Sequence, residues 1–370
     1  MLHALGSRHD IEVLTTYHHA DPVDGLPLEV VDQWNLRPGP TNKRQQAWLQ
    51  LTAREPAFAW GSRGRIEPLR AAIRRRRPDL VHMMLGELAP ALDAATAPTS
   101  LLLIDSYTRH AEAALAVETM PRRRALLRAE LVRCRRFERR WYRQADSIAC
   151  VSDVDAATLT ELLDRSVDVL PNPIAPAFFD HPTGTRAKAL VLFVGSMGYP
   201  PNIDALEWLV RDIWPAVMRL RPDAELLAVG RSNDDPTVVS RLQALLGGRL
   251  LLDVPDIREF YWRAAVAVAP VRLGGGMKNK ILHAMASSCP VVSTSAAVSG
   301  IGAQHGEHLL CADDADAFAR AIANVLDEPD AAQARAARAG AFVERFQTDR
   351  VANDVERWWE LTAGQAPVRA

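Results

Sequence analysis

Short apolar runs alternate along this chain with longer stretches whose apolar positions recur at helical spacing. Runs such as LLLI (101–104) and ALVLFV (189–194) have no polar residue between their apolar ones. Strands of that kind are buried on both faces, as in parallel sheets covered by helices. In the first half IEVLTTY (11–17), DLVHMM (79–84), SLLLID (100–105), SIACVS (147–152) and VDVLP (167–171) read as strands, with helices around 44–54, 66–76 and 122–144. In the second half ALVLFVGS (189–196), AELLAVG (224–230), VAVAPV (266–271) and PVVST (290–294) read as strands, and helices fill 201–220, 235–246, 278–287, 313–327, 331–345 and 349–362. There is no internal repeat and no low-complexity tract. The alternation predicts an α/β protein with parallel sheets.

Proline divides the chain. PNPIAPAFFDHPTGTRAK (171–188) cannot carry a regular strand or helix through it, because proline fixes φ and removes a donor. The expected organisation is an N-terminal domain over 1–172, a second domain over 188–346 and a terminal helix within 347–370. That helix bears Trp358 and Trp359, which need a surface to cover, and the first domain is the candidate.

Composition narrows the class without naming a function. A length of 370 residues suits two domains of ordinary size, and 48% apolar with 24% charged residues is normal for a soluble globular chain. The net charge of −1 supplies no global field toward nucleic acid or membrane. Cys134, Cys150, Cys289 and Cys311 have neither metal-site nor disulfide-scaffold spacing, so reduced thiols in the cytoplasm are expected. No apolar run approaches the ~18 residues of a membrane span. The opening MLHALGSRHDIEVLTTY lacks the basic-then-apolar order of a secretory signal.

In open α/β sheets ligands bind beyond the carboxyl ends of the strands. Three such ends in the second half carry glycine: Gly195-Ser196-Met197-Gly198, Gly230-Arg231, and Gly274-Gly275-Gly276 ahead of Lys278 and Lys280. Glycine lets a ligand approach the backbone, and a helix N-terminus presents free N–H groups to an anion. With Arg272 and the two lysines, the third end suits a diphosphate. Each feature alone is as readily a tight turn or a solvated lysine; it is their conjunction in one domain that points to a ligand.

At these residues the sequence resembles the donor domain of family 4 retaining glycosyltransferases, in the branch that includes exopolysaccharide sugar transferases. FVGSMGYPPNIDALEWL is similar to that branch's first strand, loop and helix, and APVRLGGGMKNKILHAMASSCPVVSTSAAVSGI to its nucleotide-sugar loop, helix and following strand. CVSDVDAATL and VLPNPIAPAFF resemble the end of the acceptor domain and its crossover. The likeness is strongest over 189–302. It implies the GT-B fold, two Rossmann-like domains facing across a cleft, with the last helix returning to the first domain. It also implies donor-binding roles for Gly195, Ser196 and Met197 along the cleft, for Arg231, Lys278 and Lys280 near the diphosphate, and for Val254 against the nucleobase. Ser299-Gly300-Ile301 matches the loop that closes the pocket.

Two departures stand out. Family members carry a glutamate that grips the ribose hydroxyls, where this chain has His283, and many place another glutamate eight residues earlier, where this chain has Gly275. Helical spacing puts residues 276, 280, 283 and 287 on one face, so His283 is expected to look where Lys280 looks. Neutral imidazole offers one acceptor nitrogen against the several lone pairs of a carboxylate, a loss of about 1–3 kcal/mol in donor binding. His283 thus marks an altered donor preference, a weakened enzyme, or a histidine that simply packs. The second departure is at the start, where MLHALG reads as the tail of the family's first helix and IEVLTTY as its second strand. The first strand and its glycine loop are expected to be missing, which would expose sheet edges.

In the first half, Asp105 ends a strand at the place where the family sets a polar group beside the reacting sugar carbon, and His110 lies one turn on. Asp105 is the candidate catalytic residue; strand-end acids are also ordinary helix caps. PRRRALLRAELVRCRRFERRWYRQ (121–144) holds ten arginines, with Leu127, Leu131, Cys134, Phe137 and Trp141 near helical spacing. It reads first as a core-packing helix with a solvated basic face, and second as a dock on an anionic membrane, joined by Arg74–Arg77.

The reading that follows is transfer of a sugar from a nucleotide-diphosphate sugar to a glycan or lipid-linked glycan, with retention of configuration. It calls for no cofactor and no metal, and places the protein in the cytoplasm or at the inner face of the membrane. Three rivals stand beside it. One is a GT-B protein that binds nucleotide or a partner without turnover. Another is a dinucleotide oxidoreductase, although the Gly195-x-x-Gly198 spacing does not fit G-x-G-x-x-G. The third is a metal-dependent transferase built on Asp153 and Asp155, which are equally helix caps.

Overall fold

The computed structural model describes residues 2–15, 28–30, 53–180, 186–232, 235–272 and 275–365. Most of the helix expected at 44–54, the end of the IEVLTTY strand and Gly274 lie outside the described residues. The chain divides into two compact units, Met1–Pro171 with Thr348–Ala370, and Asn172–Gln347.

In the first unit the strands are β1 (Val13–Thr15), β2 (Leu28–Val30), β3 (Val81–Met84), β4 (Thr99–Leu103), β5 (Ser147–Cys150) and β6 (Asp168–Val169). β1 and β2 pair in parallel, and β3-β4-β5-β6 form a second parallel sheet in that order. Among the described residues the two sheets do not hydrogen-bond to each other. Every residue of β4 is buried, as continuous apolar strands require. Leu101 and Leu103 face one side, with Phe137, Tyr142 and Ile148; Leu102 faces the other. The helix Thr348–Gln365 covers that other side through Val351, Ala352, Val355 and Trp358, against Leu5, Leu102, Ala149 and Leu170. Both expected tryptophans are anchored by their indole N–H groups. Trp358 donates to Asp168 (2.9 Å) and Trp359 reaches His82 Nδ1 (3.1 Å).

The arginine-rich segment is a helix over Pro121–Trp141, with proline at its first turn where its missing N–H costs nothing. Its apolar stripe is buried only in the C-terminal half, at Cys134 and Phe137; Leu126 and Val132 nearer its start are exposed. No described helix is long and apolar enough to cross a membrane.

In the second unit the strands are β7 (Leu190–Val194), β8 (Glu225–Gly230), β9 (Leu250–Leu252), β10 (Val266–Ala269), β11 (Val291–Ser293) and β12 (Leu310–Cys311). They form one parallel sheet in the order β12-β11-β10-β7-β8-β9. The order reverses between β7 and β10. Successive connections leave those two strands in opposite directions, opening a crevice at their carboxyl ends. β9 and β12 were not among the strands expected from the sequence. The long helix expected at 201–220 runs as Pro200–Trp208, a π turn at Leu209–Ile213, and Trp214–Leu220. Pro215 follows that turn; lacking an N–H and crowding the carbonyl one turn back, proline is a common cause of such interruptions.

Candidate functional site

The crevice at β7 and β10 is built from backbone pressed against backbone. Gly195 follows β7 and Gly230 ends β8. A Cβ on Gly230 would sit 1.8 Å from the Gly195 carbonyl oxygen, so only glycine fits there. Three hydrogen bonds lock the approach: Gly195 N–H to Val229 O (3.0 Å), Met197 N–H to Arg231 O (2.9 Å), and Asp253 N–H to Gly230 O (2.8 Å). Met197 is fully buried and serves as a plug under the turn, while Ser196 is half-exposed. Val254 follows Asp253, whose backbone is left-handed (φ 54), and is half-buried. The Ser232 backbone N–H bonds Asp253 Oδ1 (3.0 Å) and holds that carboxyl below its usual range, with the Arg231 charge assisting. Arg231 itself is exposed.

β10 leads into the glycine-rich loop. Gly275 and Gly276 are buried, and Gly276 has φ 66, a conformation L side chains resist. The helix Asn279–Ala286 begins just beyond, with Asn172 reaching Asn279 Oδ1 (2.8 Å). The cations gathered in the sequence separate here. Arg272 is paired with Asp204 (2.7 Å) and lies over the Trp208 ring (4.7 Å). The Lys278 ammonium turns back onto the Gly275 carbonyl. Lys280 alone extends to the Gly195 turn. Its Nζ donates to Asn202 Oδ1 (2.7 Å), stands 4.8 Å over the Phe193 ring, and would be 3.1 Å from a Cβ on Gly195. Burial, with the Lys278 charge second, pushes the Lys280 ammonium down to about 7.

His283, one turn after Lys280, faces another wall. Its ring stacks on Phe178 at 3.9 Å with planes 10° apart, and meets Tyr261 edge-on at 6.4 Å. Burial pushes it down to about 4, so it is neutral at physiological pH. The two residues share a helix face, but the long lysine stem bends toward β7 while the short imidazole stays where its Cβ points. Ser299 closes a single helical turn with its hydroxyl on Ala296 O (3.1 Å), and Ile301 is buried beneath.

In the first unit Asp105 lies just beyond β4, partly buried, with Oδ2 3.4 Å from His110 Nε2. The cap of the helix Tyr107–Val117 is Ser106, whose hydroxyl accepts from Arg109 N–H (3.3 Å), and not Asp105. Two fully buried carboxylates hold this turn. Glu138 accepts from the Tyr107 N–H (2.8 Å) and from the Thr108 hydroxyl; Asp155 accepts from the Ser106 N–H (3.2 Å) and the Ser152 hydroxyl (2.5 Å). Burial pushes Glu138 up to about 7. Asp153 and Asp155 open a helix capped by Ser152, and no cluster of potential metal ligands occurs among the described residues.

Asn202 and Glu138 were not singled out in the sequence. The available signals were an amide just after the two prolines that open the PPNIDALEWL helix, and an acid four residues after Cys134 on an otherwise apolar stripe.

Residues 188–328 match the family model of the group 1 glycosyl transferases. Among curated proteins the chain is 29% identical over 172 residues to an uncharacterized 44.6 kDa protein in the cps region of Klebsiella pneumoniae, covering 45% of this chain and 44% of that one. It is 28% identical over 242 residues to a phosphatidyl-myo-inositol mannosyltransferase of Mycobacterium leprae, covering 61% and 62%. The matched segments thus span about half the length of these relatives. Among solved structures it superposes on sucrose-phosphate synthase from Thermosynechococcus elongatus with TM-score 0.71 at 17% identity, covering 98% of this chain and 92% of the other. It superposes on Anabaena HepE in complex with UDP with TM-score 0.60 at 13% identity, covering 86% and 89%. At such identities the likeness establishes the fold, which is GT-B. The likeness to the group 1 glycosyl transferases lies in residues 188–328, the part of the chain that carries the Gly195 and Gly230 turns and Lys280.

Proposed function

We propose that the protein is a retaining glycosyltransferase that moves a sugar from a nucleotide-diphosphate sugar to a glycan or lipid-linked glycan. The observation that carries the reading is the convergence of Gly195, Gly230 and the Lys280 ammonium at the point where the strand order reverses. A half-buried cation beside bare backbone suits the phosphates of a leaving group. Catalysis would then consist of positioning and of positive charge on the departing diphosphate, which takes the acceptor's proton as the acceptor attacks from the same face. In this scheme the Gly195–Met197 turn and Val254 receive the nucleotide, and Asp105 with His110 orients the acceptor side. HepE in complex with UDP-glucose and TarM in complex with UDP support a uridine nucleotide as the first donor to try. Thermal-shift screening of nucleotide sugars, followed by transfer assays with the best, is the test. No stabilisation by any nucleotide diphosphate, with no transfer, overturns the proposal.

His283 favours a second reading, a nucleotide binder without turnover, because its ring is neutral and occupied by Phe178. Tight UDP binding with neither donor hydrolysis nor transfer would decide for it. The membrane side of the proposal rests on the helix Pro121–Trp141. Exposed Arg122, Arg123 and Arg128 lie near exposed Val117, Met120, Leu126 and Val132, a combination that fits an anionic bilayer carrying a lipid-linked acceptor. Pelleting with anionic but not zwitterionic vesicles, lost at high salt, is the expected result.

A further inference from the structure

We propose that Asn202 is a positioning residue: its amide holds the Lys280 ammonium at the Gly195 turn without neutralising it, so the charge stays available to a bound phosphate. This rests on the nucleotide-sugar reading of the same site.

The geometry around Asn202 is closed on every side. It lies in the helix Pro200–Trp208 and is only 7% exposed. Its Oδ1 accepts from Lys280 Nζ (2.7 Å) and its Nδ2 donates to Ser196 O (2.9 Å). A Cβ on Gly195 would lie 3.0 Å from the amide carbon and 3.0 Å from Nδ2, so the glycine makes room for the amide. The two bonds fix which way the amide faces. Flipping it would set an NH2 against an ammonium and an oxygen against a carbonyl. One side chain therefore ties the turn after β7 to the cation delivered after β10, across 78 residues of sequence.

The choice of amide over carboxylate matters to the charge. Lys280 has no carboxylate partner among the described residues. The nearby Asp204, on the same helix as Asn202, is held by Arg272. Lys278 repels from the start of Lys280's own helix, the Tyr261 hydroxyl faces the Lys280 carbonyl (3.2 Å), and His283 is turned onto Phe178. Aspartate at 202 would form a buried ion pair that a phosphate must then break, and would turn an acceptor toward Ser196 O.

The test compares wild type, Asn202→Asp and Asn202→Ala, with UDP as the calorimetric probe between pH 6 and 9. For wild type, affinity falls as pH rises through the Lys280 titration. For Asn202→Asp we expect affinity at pH 6 about ten-fold weaker, and the pH midpoint of the decline moved up by about one unit or more, since a carboxylate stabilises the ammonium. Asn202→Ala should weaken binding without moving the midpoint upward. A merely structural role lowers affinity in both variants and leaves the midpoint in place, and that result overturns the proposal. Acylation of Lys280 read by mass spectrometry supplies an independent readout. Its rate against pH should shift upward in Asn202→Asp, and an unshifted profile also counts against the proposal. If wild type binds no nucleotide diphosphate, the donor reading fails, and the acylation profile still decides the role of Asn202. Should Asn202→Asp not fold, an Asn202→Ala acylation midpoint below that of wild type upholds the amide's role, and an unchanged or raised one refutes it.

Discussion

Replacing Gly230 with alanine tests the architecture of the crevice most directly. The added Cβ would lie 1.8 Å from the Gly195 carbonyl oxygen and 2.7 Å from its carbon. Ordinary carbon–oxygen contact is about 3.3–3.6 Å, so the two turns must part by about 1.5 Å. The atoms in the way are backbone and cannot rotate aside. Separation strains the Gly195–Val229, Met197–Arg231 and Asp253–Gly230 hydrogen bonds together. Overpacking alone costs about 1–3 kcal/mol, and each hydrogen bond lost about 0.5–1.5 kcal/mol. A loss of about 3–5 kcal/mol is expected, enough to lower the melting temperature by about 10 °C in a unit of this size. Urea denaturation followed by tryptophan fluorescence, with UDP titration of the folded fraction, measures both effects. Gly248→Ala is the control, since a Cβ there meets nothing within 4 Å. Gly230→Ala with wild-type stability and wild-type nucleotide affinity would refute the close approach and the site built on it.

Two further outcomes follow from buried titratable groups. Glu138 is raised to about 7 by burial, so between its ordinary value near 4.5 and 7 the folded state holds a proton that the unfolded chain releases. Its contribution is fully present below 4.5 and is lost as pH rises through 7, a decline of about 3 kcal/mol in the first unit that Glu138→Gln should flatten; a wild-type urea midpoint that does not fall between pH 5 and 8 contradicts this. His283→Glu sacrifices the stack on Phe178 and places a carboxylate in a desolvated spot, so melting temperature should fall while affinity for a nucleotide sugar rises about ten-fold. No gain in affinity by calorimetry removes His283 from the ribose site.

The nine strands expected from apolar runs correspond to β1, β3–β8, β10 and β11, most plainly at β7 and β10, where a parallel strand buried on both faces writes itself as an uninterrupted apolar run. Local pattern could not place what distant residues decide. Lys278 and Lys280 look equivalent in the sequence, yet one folds back on Gly275 and the other reaches Asn202, 78 positions away. The shared helix face of Lys280 and His283 was legible, and their divergence was not, since it depends on Phe193 and Phe178 from elsewhere in the chain. Arginine at 272 reads as a phosphate ligand until Asp204 and Trp208 are known to hold it. Glu138 is hidden among ten arginines and matters only because Tyr107 and Thr108 meet it.

The helix Thr348–Gln365 has a consequence for how the chain comes into being. Leu5, Leu102, Ala149 and Leu170 find their cover in residues made only after the whole of Asn172–Gln347. Between them the ribosome delivers the whole of Asn172–Gln347, whose two ends are already fastened by the Ile174 N–H on Phe346 O (2.7 Å). That middle segment can complete its sheet while synthesis continues, whereas the opening segment keeps an oily seam bare until the last helix emerges. Ribosome-stalled intermediates ending near residue 347 should therefore recruit chaperones through the first half of the molecule rather than the second.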